Sequence, residues 1–154
     1  MIETVVIATD GSASAERAVT VAADLADRFD AAVHALYVID QGEVAGTPDE
    51  VRPEVAEALA TAGDEAIAFV REAVAEEGDG PALSTAIREG DPAIQIMSYA
   101  QEVDADVIAT GTRGRHGEHS FLLGSVAEAV VRNSPIPVLT IRQLDATEAV
   151  ERPA

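Results

Sequence analysis

The chain has 154 residues and carries 28 acidic against 10 basic side chains, a net charge of −18, with no lysine and no cysteine. That length suits one domain with a real core, and so acidic a surface repels nucleic acid and anionic membrane unless basic groups cluster locally. Without cysteine there are no disulfides and no thiol chemistry, which fits a cytoplasmic protein; no apolar run reaches the length of a membrane span and no basic-then-apolar leader opens the chain. All ten basic residues are arginine, and the acidic excess points to adaptation to molar salt, where carboxylate repulsion is screened within a few ångströms.

Thr4 to Thr9 is a short, apolar, β-branched run, the pattern of a strand buried on both faces of a parallel sheet. Asp10-Gly11-Ser12 ends it. Ser12 or Ser14 can cap the following helix, on which Ala18, Val21, Ala22 and Leu25 recur at the spacing of one apolar face. Phe29-Asp30 closes that helix. Ala32 to Ile39 reads as the second strand, ending at Asp40, with His34 as a packed strand residue. Gln41 to Pro53 reads as a loop, and Glu54 to Glu77 as a long helix with Val55, Leu59, Ala62, Ala66, Phe69, Val70 and Val74 inward. Gly63 is a mild weakness in it. Its many carboxylates read as a solvated face.

Gly78-Asp79-Gly80-Pro81 is a turn, and Leu83 to Arg88 a third, weaker strand. Asp91 caps the next helix, with Pro92 at its first position; Ile94, Met97 and Ala100 point inward. Asp104 to Thr110 is the fourth strand. A glycine-rich stretch, Gly111 to Ser125, follows it, and a helix runs from about Ser120 to Arg132. Ile136 to Ile141 is the fifth strand. Gln143 to Ala154 is an acidic tail expected to fray. The order β-α-β-α-β-α-β-α-β implies a parallel sheet with right-handed crossovers and helices on both faces. Ligands of such sheets bind beyond the carboxyl ends of the strands, where strand order switches. The ends at Asp10, at Val38 to Asp40 and at Thr110-Gly111 are therefore expected to meet in one crevice.

The glycine-rich stretch carries the chemistry. Gly111, Gly114, Gly117 and Gly124 lead into a helix start, and Ser125 follows the last of them. Glycine admits close backbone approach, and a helix start offers free N–H groups and a positive dipole end, which together suit phosphate. A phosphate cradle and a glycine-rich loop with no ligand both fit the bare pattern. A Walker A loop is excluded because it needs lysine; a dinucleotide fingerprint is excluded by spacing and by its late place in the chain. A ligand here would be held by backbone N–H, Ser125 and Arg113 or Arg115. His116 and His119 read as exposed loop histidines, not a metal pair.

These residues resemble the universal stress protein family. Its nucleotide-binding members carry G-x-x-G, nine residues, then G-[ST]; here that is Gly111, Gly114 and Gly124-Ser125. VVIATDGS at Val5 to Ser12, YVID at Tyr37 to Asp40, LLGSVAE at Leu122 to Glu128 and NSPIPVLTIR at Asn133 to Arg142 also match, in the right order. The resemblance implies an α/β, Rossmann-like three-layer sandwich over residues 1–142, with a five-stranded parallel sheet of order 3-2-1-4-5. Residues 143–154 are then the tail.

The resemblance further implies a homodimer and ATP binding. Carried over by position, Ala8, Thr9 and Asp10 line the site, with Asp10 facing the ribose, the phosphates or a bound Mg²⁺. Val38 contacts adenine, Thr110 and Gly111 lie near the ribose, and Gly114, Gly124, Ser125 and Val126 hold the phosphates. Family members often place a basic residue before the apolar triplet preceding Gly124; here it is Ser120. As the last strand, Pro135 to Ile141 falls at a sheet edge, where pairing with a second copy would form the dimer. The leading expectation is a regulatory stress protein that binds Mg-ATP. A slow ATP hydrolase or phosphotransferase is the second, and a dimeric interaction protein without nucleotide the third.

Overall fold

A computed structural model describes residues 1–76, 82–113 and 123–144. The expected turn at Gly78 to Pro81, the loop positions Gly114, Arg115, His116, Gly117, His119 and Ser120, and the tail from residue 145 lie outside the described residues. In chain order the elements are β1 (Thr4–Ala8), α1 (Ala13–Phe29), β2 (Ala32–Asp40), α2 (Gln41–Ala45), α3 (Arg52–Ala75), β3 (Leu83–Gly90), α4 (Pro92–Glu102), β4 (Val107–Gly111), α5 (Ser125–Asn133) and β5 (Val138–Ile141). The strands form one parallel sheet of order β3-β2-β1-β4-β5, as the alternating pattern and the family resemblance require.

The sheet is buried on both faces, which is why its inner strands read as continuous apolar runs. Val5 and Ile7 of β1 join Val33, Ala35 and Tyr37 of β2 in a core shared with α1 and α3. Val6 and Ala8, with Leu36 and Val38, belong to a second core shared with α4 and α5. The entry to the sheet is clamped: the Glu3 and Thr4 amides donate to Asp106 Oδ2 at 2.8 and 2.9 Å. Those two donors hold the Asp106 carboxyl below its ordinary pKa.

Five sequence expectations need correction. On α1 the buried face is Ala15, Ala18, Val19, Ala22, Ala23 and Ala26, while Val21 is exposed. Helix and sheet approach closely through alanines, so the wetter side keeps the larger residue. On α3, Phe69 is exposed and Gly63 is buried. A Cβ at Gly63 would stand 2.8 Å from the ring of buried Tyr37, so this glycine is a contact site and not a weakness. On α4, Ile94 is exposed, whereas Ile96, Tyr99 and Ala100 turn inward with Ala93. The expected loop after Asp40 begins with the helix α2, whose first turn is capped by Asp40 accepting from the Gly42 amide.

Other boundaries moved less. α5 starts at Ser125 with Gly124 as its cap residue, because an extended Gly124 (ψ 159°) cannot continue a helix. Asp91 caps α4 by accepting from the Ile94 amide at 3.1 Å. The tail's first residues are tied down: Gln143 accepts from the Arg17 amide, and Arg17 donates to the Arg142 carbonyl. Among the described residues no helix is long and apolar enough to cross a membrane.

Candidate functional site

The chain runs β1 to β2 to β3 toward one edge, then returns to place β4 on the other side of β1. The switch of direction lies between β1 and β4, and it leaves a gap beyond their carboxyl ends. There the structure holds a crevice of about 240 Å³. Its floor is Ala8, Thr9 and Asp10 from the end of β1, Leu36, Val38 and Asp40 from β2, and Thr110 and Gly111 from β4. Gly124, Ser125, Val126 and Ala127 close one side, and Pro92 and Ile96 of α4 another.

Nine sequence-chosen positions meet here: Ala8, Thr9, Asp10, Val38, Thr110, Gly111, Gly124, Ser125 and Val126. Gly114 falls outside the described residues. Arg113, a sequence candidate for anion contact, lines the crevice as well, and its Nε is buried without a partner among the described residues. Sequence reasoning missed Ala15, Leu36, Glu43, Pro92, Ile96 and Ala127 as lining residues. Glu43 comes from the helix taken for a loop, and Pro92 and Ile96 reach the site only because α4 packs over β2.

Local geometry fixes the polar groups. Asp10 Oδ1 accepts from the Ser12 amide at 2.9 Å and from the Ser12 hydroxyl at 2.6 Å. Gly11 makes this turn at φ +76°, a conformation costly for any residue with a Cβ. Thr9 Oγ1 accepts from the Gly11 amide at 3.1 Å. At Gly111 a Cβ would meet the Ser14 carbonyl at 3.1 Å, so glycine lets the start of α1 close over β4. The Gly124 amide donates to the Thr112 carbonyl at 2.6 Å and is spent on the loop. Ser125, Val126 and Ala127, the first residues of α5, line the crevice, and an α-helix leaves its first-turn amides without intrahelical partners.

The crevice is thus apolar near Leu36, Val38 and Ile96, polar in the middle, and rich in N–H donors at α5. It can take a flat apolar ring at one end and an anion at the other. For a divalent cation the described residues offer one well-placed carboxylate: Asp10 holds Oδ1 in its turn, and Oδ2 has no hydrogen bond to another described residue. No cluster of three or more metal-binding side chains occurs among the described residues. One carboxylate supplemented by phosphate oxygens and water suits Mg²⁺, so the residues fit that ion as part of a ligand complex and not as a resident metal.

The chain matches the family described as the universal stress protein family over residues 1–142. It is 41% identical over 140 residues to a universal stress protein of Methanocaldococcus jannaschii, spanning 90% of this chain and 81% of that one. Among solved structures it resembles the universal stress protein UspA of Lactobacillus plantarum, with TM-score 0.75, 28% identity, and 92% and 98% of the two chains covered. It also resembles a universal stress protein in complex with cAMP, at TM-score 0.65 and 26% identity over 93% and 98%. A third is the Archaeoglobus fulgidus universal stress protein in complex with dAMP, at TM-score 0.62 and 27% identity over 92% and 100%.

Proposed function

The chain belongs to the universal stress protein family, and from that premise we propose that it binds an adenine nucleotide, Mg-ATP, as a regulatory ligand in a stress response. The observation that carries this reading is the meeting of nine motif-derived positions in one crevice with the open N-terminus of α5. The adenine ring lies against Leu36, Val38 and Ile96. Ribose meets Thr9, Asp10 and Thr110. The phosphates meet the α5 amides, the Ser125 hydroxyl and Arg113, where dipole and donors favour anions. Bound Mg²⁺ would neutralise phosphate charge, and Asp10 is the residue that would hold it. The structural relatives with cAMP and dAMP support an adenine nucleotide. ATP acts as a ligand in this reading, and slow hydrolysis would be incidental to it. The protein works as a homodimer, in the cytoplasm, paired through the edge strand β5.

Calorimetry in molar KCl with Mg-ATP tests the site. Wild type binds. Gly124→Val places a branched side chain where phosphate must approach a backbone whose φ of −62° any residue adopts, so binding is lost while circular dichroism is unchanged. Ser125→Ala removes one hydrogen bond to a charged group and weakens binding by about 1.5–3 kcal/mol. Wild type that binds no adenine nucleotide at millimolar ligand would sink the reading, in favour of an interaction protein without nucleotide.

A further inference from the structure

Four side chains outside the crevice form one connected group. His34 of β2 and Tyr99 of α4 meet at 3.0 Å between Nδ1 and the hydroxyl, with their rings edge-on at 5.8 Å. The Arg88 guanidinium of β3 lies over the same Tyr99 ring, 4.8 Å from its centroid. Glu102, the last residue of α4, accepts from Arg88 through both carboxylate oxygens. The group ties α4 to two strands. Ile96 stands about one turn before Tyr99 on α4, and Pro92 opens the helix; both line the crevice. On β2 the side chains of His34, Leu36 and Val38 share one face, and Leu36 and Val38 line the crevice as well.

Resting on the nucleotide reading above, we propose that the contact between Tyr99 and His34 seats α4 for the ligand's base, and that a proton taken up by His34 weakens nucleotide binding. A neutral imidazole accepts from the Tyr99 hydroxyl or donates to it; an imidazolium donates only. Its charge would also stand half-buried, beside a ring that already holds the Arg88 guanidinium. Among the described residues, the groups facing His34 offer little relief. α4 presents the neutral Tyr99 hydroxyl and Glu102, which is exposed and committed to Arg88. β3 presents Arg88 and, in register, Ser84; β1 presents Val6. Burial accordingly lowers the His34 pKa and raises that of Tyr99. Protonation is relieved when Tyr99 and His34 part and water enters, and α4 then carries Ile96 away from the base. His34 and Tyr99 are positioning residues, since neither lines the crevice. Affinity is level while His34 is neutral. It falls as pH drops through the folded pKa of His34, which lies below 6.5.

Adenosine tests this without a phosphate titration of its own. The full chain in molar KCl is titrated with it by calorimetry between about pH 7 and about pH 5, with melting curves confirming the fold at each pH. Wild-type affinity falls about tenfold. His34→Gln, which still hydrogen-bonds to Tyr99 and does not titrate, binds like wild type at the upper end and keeps that affinity. Tyr99→Phe keeps the ring under Arg88, loses the hydroxyl, and binds severalfold more weakly throughout. Reciprocally, NMR of the His34 ring shows its pKa drop further when adenosine is added. Wild-type affinity that stays level, a fall that His34→Gln shares, or Tyr99→Phe that binds as wild type does overturns the coupling and leaves the nucleotide reading standing. Mg-ATP that binds where adenosine does not overturns the seating of the base alone. Failure of both to bind overturns the nucleotide reading and the coupling with it.

Discussion

Tyr37 is wholly buried in β2, and its ring lies where a Cβ on Gly63 of α3 would stand, 2.8 Å from Cδ1. Helix propensity favours alanine over glycine by about 1 kcal/mol, but the contact opposes it. Overpacking against a ring that cannot move outward costs about 1–3 kcal/mol, so Gly63→Ala should lower the melting temperature; a rise would refute the contact. His34 is a second residue whose environment decides its chemistry. Its Nδ1 lies 3.0 Å from the Tyr99 hydroxyl, and Arg88 stacks on the Tyr99 ring while pairing with Glu102. Burial holds the His34 pKa below the ordinary histidine value of 6.5. The unfolded chain therefore takes up a proton at a pH where the fold does not. Stability falls as pH drops below 6.5 and stops falling once the folded value is passed. His34→Gln keeps a polar side chain without a titration, and should flatten the slope of melting temperature between about pH 7 and about pH 5.

β5 is the element whose exposed side matters most. It pairs with β4 alone. Ile108 donates to the Pro137 carbonyl and Thr112 to the Ile141 carbonyl, so odd-numbered residues of β5 face β4. By the alternation of a parallel ladder, Val138 and Thr140 turn their backbone groups to the open edge. Leu139 packs on the α1 and α3 side of the core and Val138 on the other, so changing either would damage the protomer itself. Thr140→Pro removes one outward donor and no internal ladder bond, which an edge strand tolerates. If β5 pairs with a second copy, light scattering should show this variant as a folded monomer and wild type as a dimer. Soluble monomeric wild type would refute the pairing.

For the whole molecule the governing quantity is charge. At −18 on 154 residues, self-repulsion opposes the compact state at low ionic strength. Among the described residues, ion pairs such as Arg28 with Asp24 and Arg132 with Glu128 are surface contacts, and pairs of that kind contribute little. The melting temperature should therefore rise substantially from dilute buffer to molar KCl. A flat response would count against adaptation to high salt.

The sequence by itself determined the alternation of strand and helix, the parallel sheet, the cap at Asp91 and the positions that gather at the crevice. The first three are local or periodic signals, β-branched runs and a Pro at a helix start, whereas most of the crevice positions, Ala8, Thr9 and Val126 among them, come from the family resemblance. It did not determine which face of α1 is buried, because a face of alanines is defined by how close the sheet lies and not by hydropathy. Nor did it reveal α2, five residues too short to show a period, held by the Asp40 cap and by Arg52 donating to the Ala45 carbonyl at its end. With α2 came Glu43, and with the packing of α4 over β2 came Pro92 and Ile96. The tertiary structure alone decided those neighbours, because long-range packing sets which distant residues share one crevice.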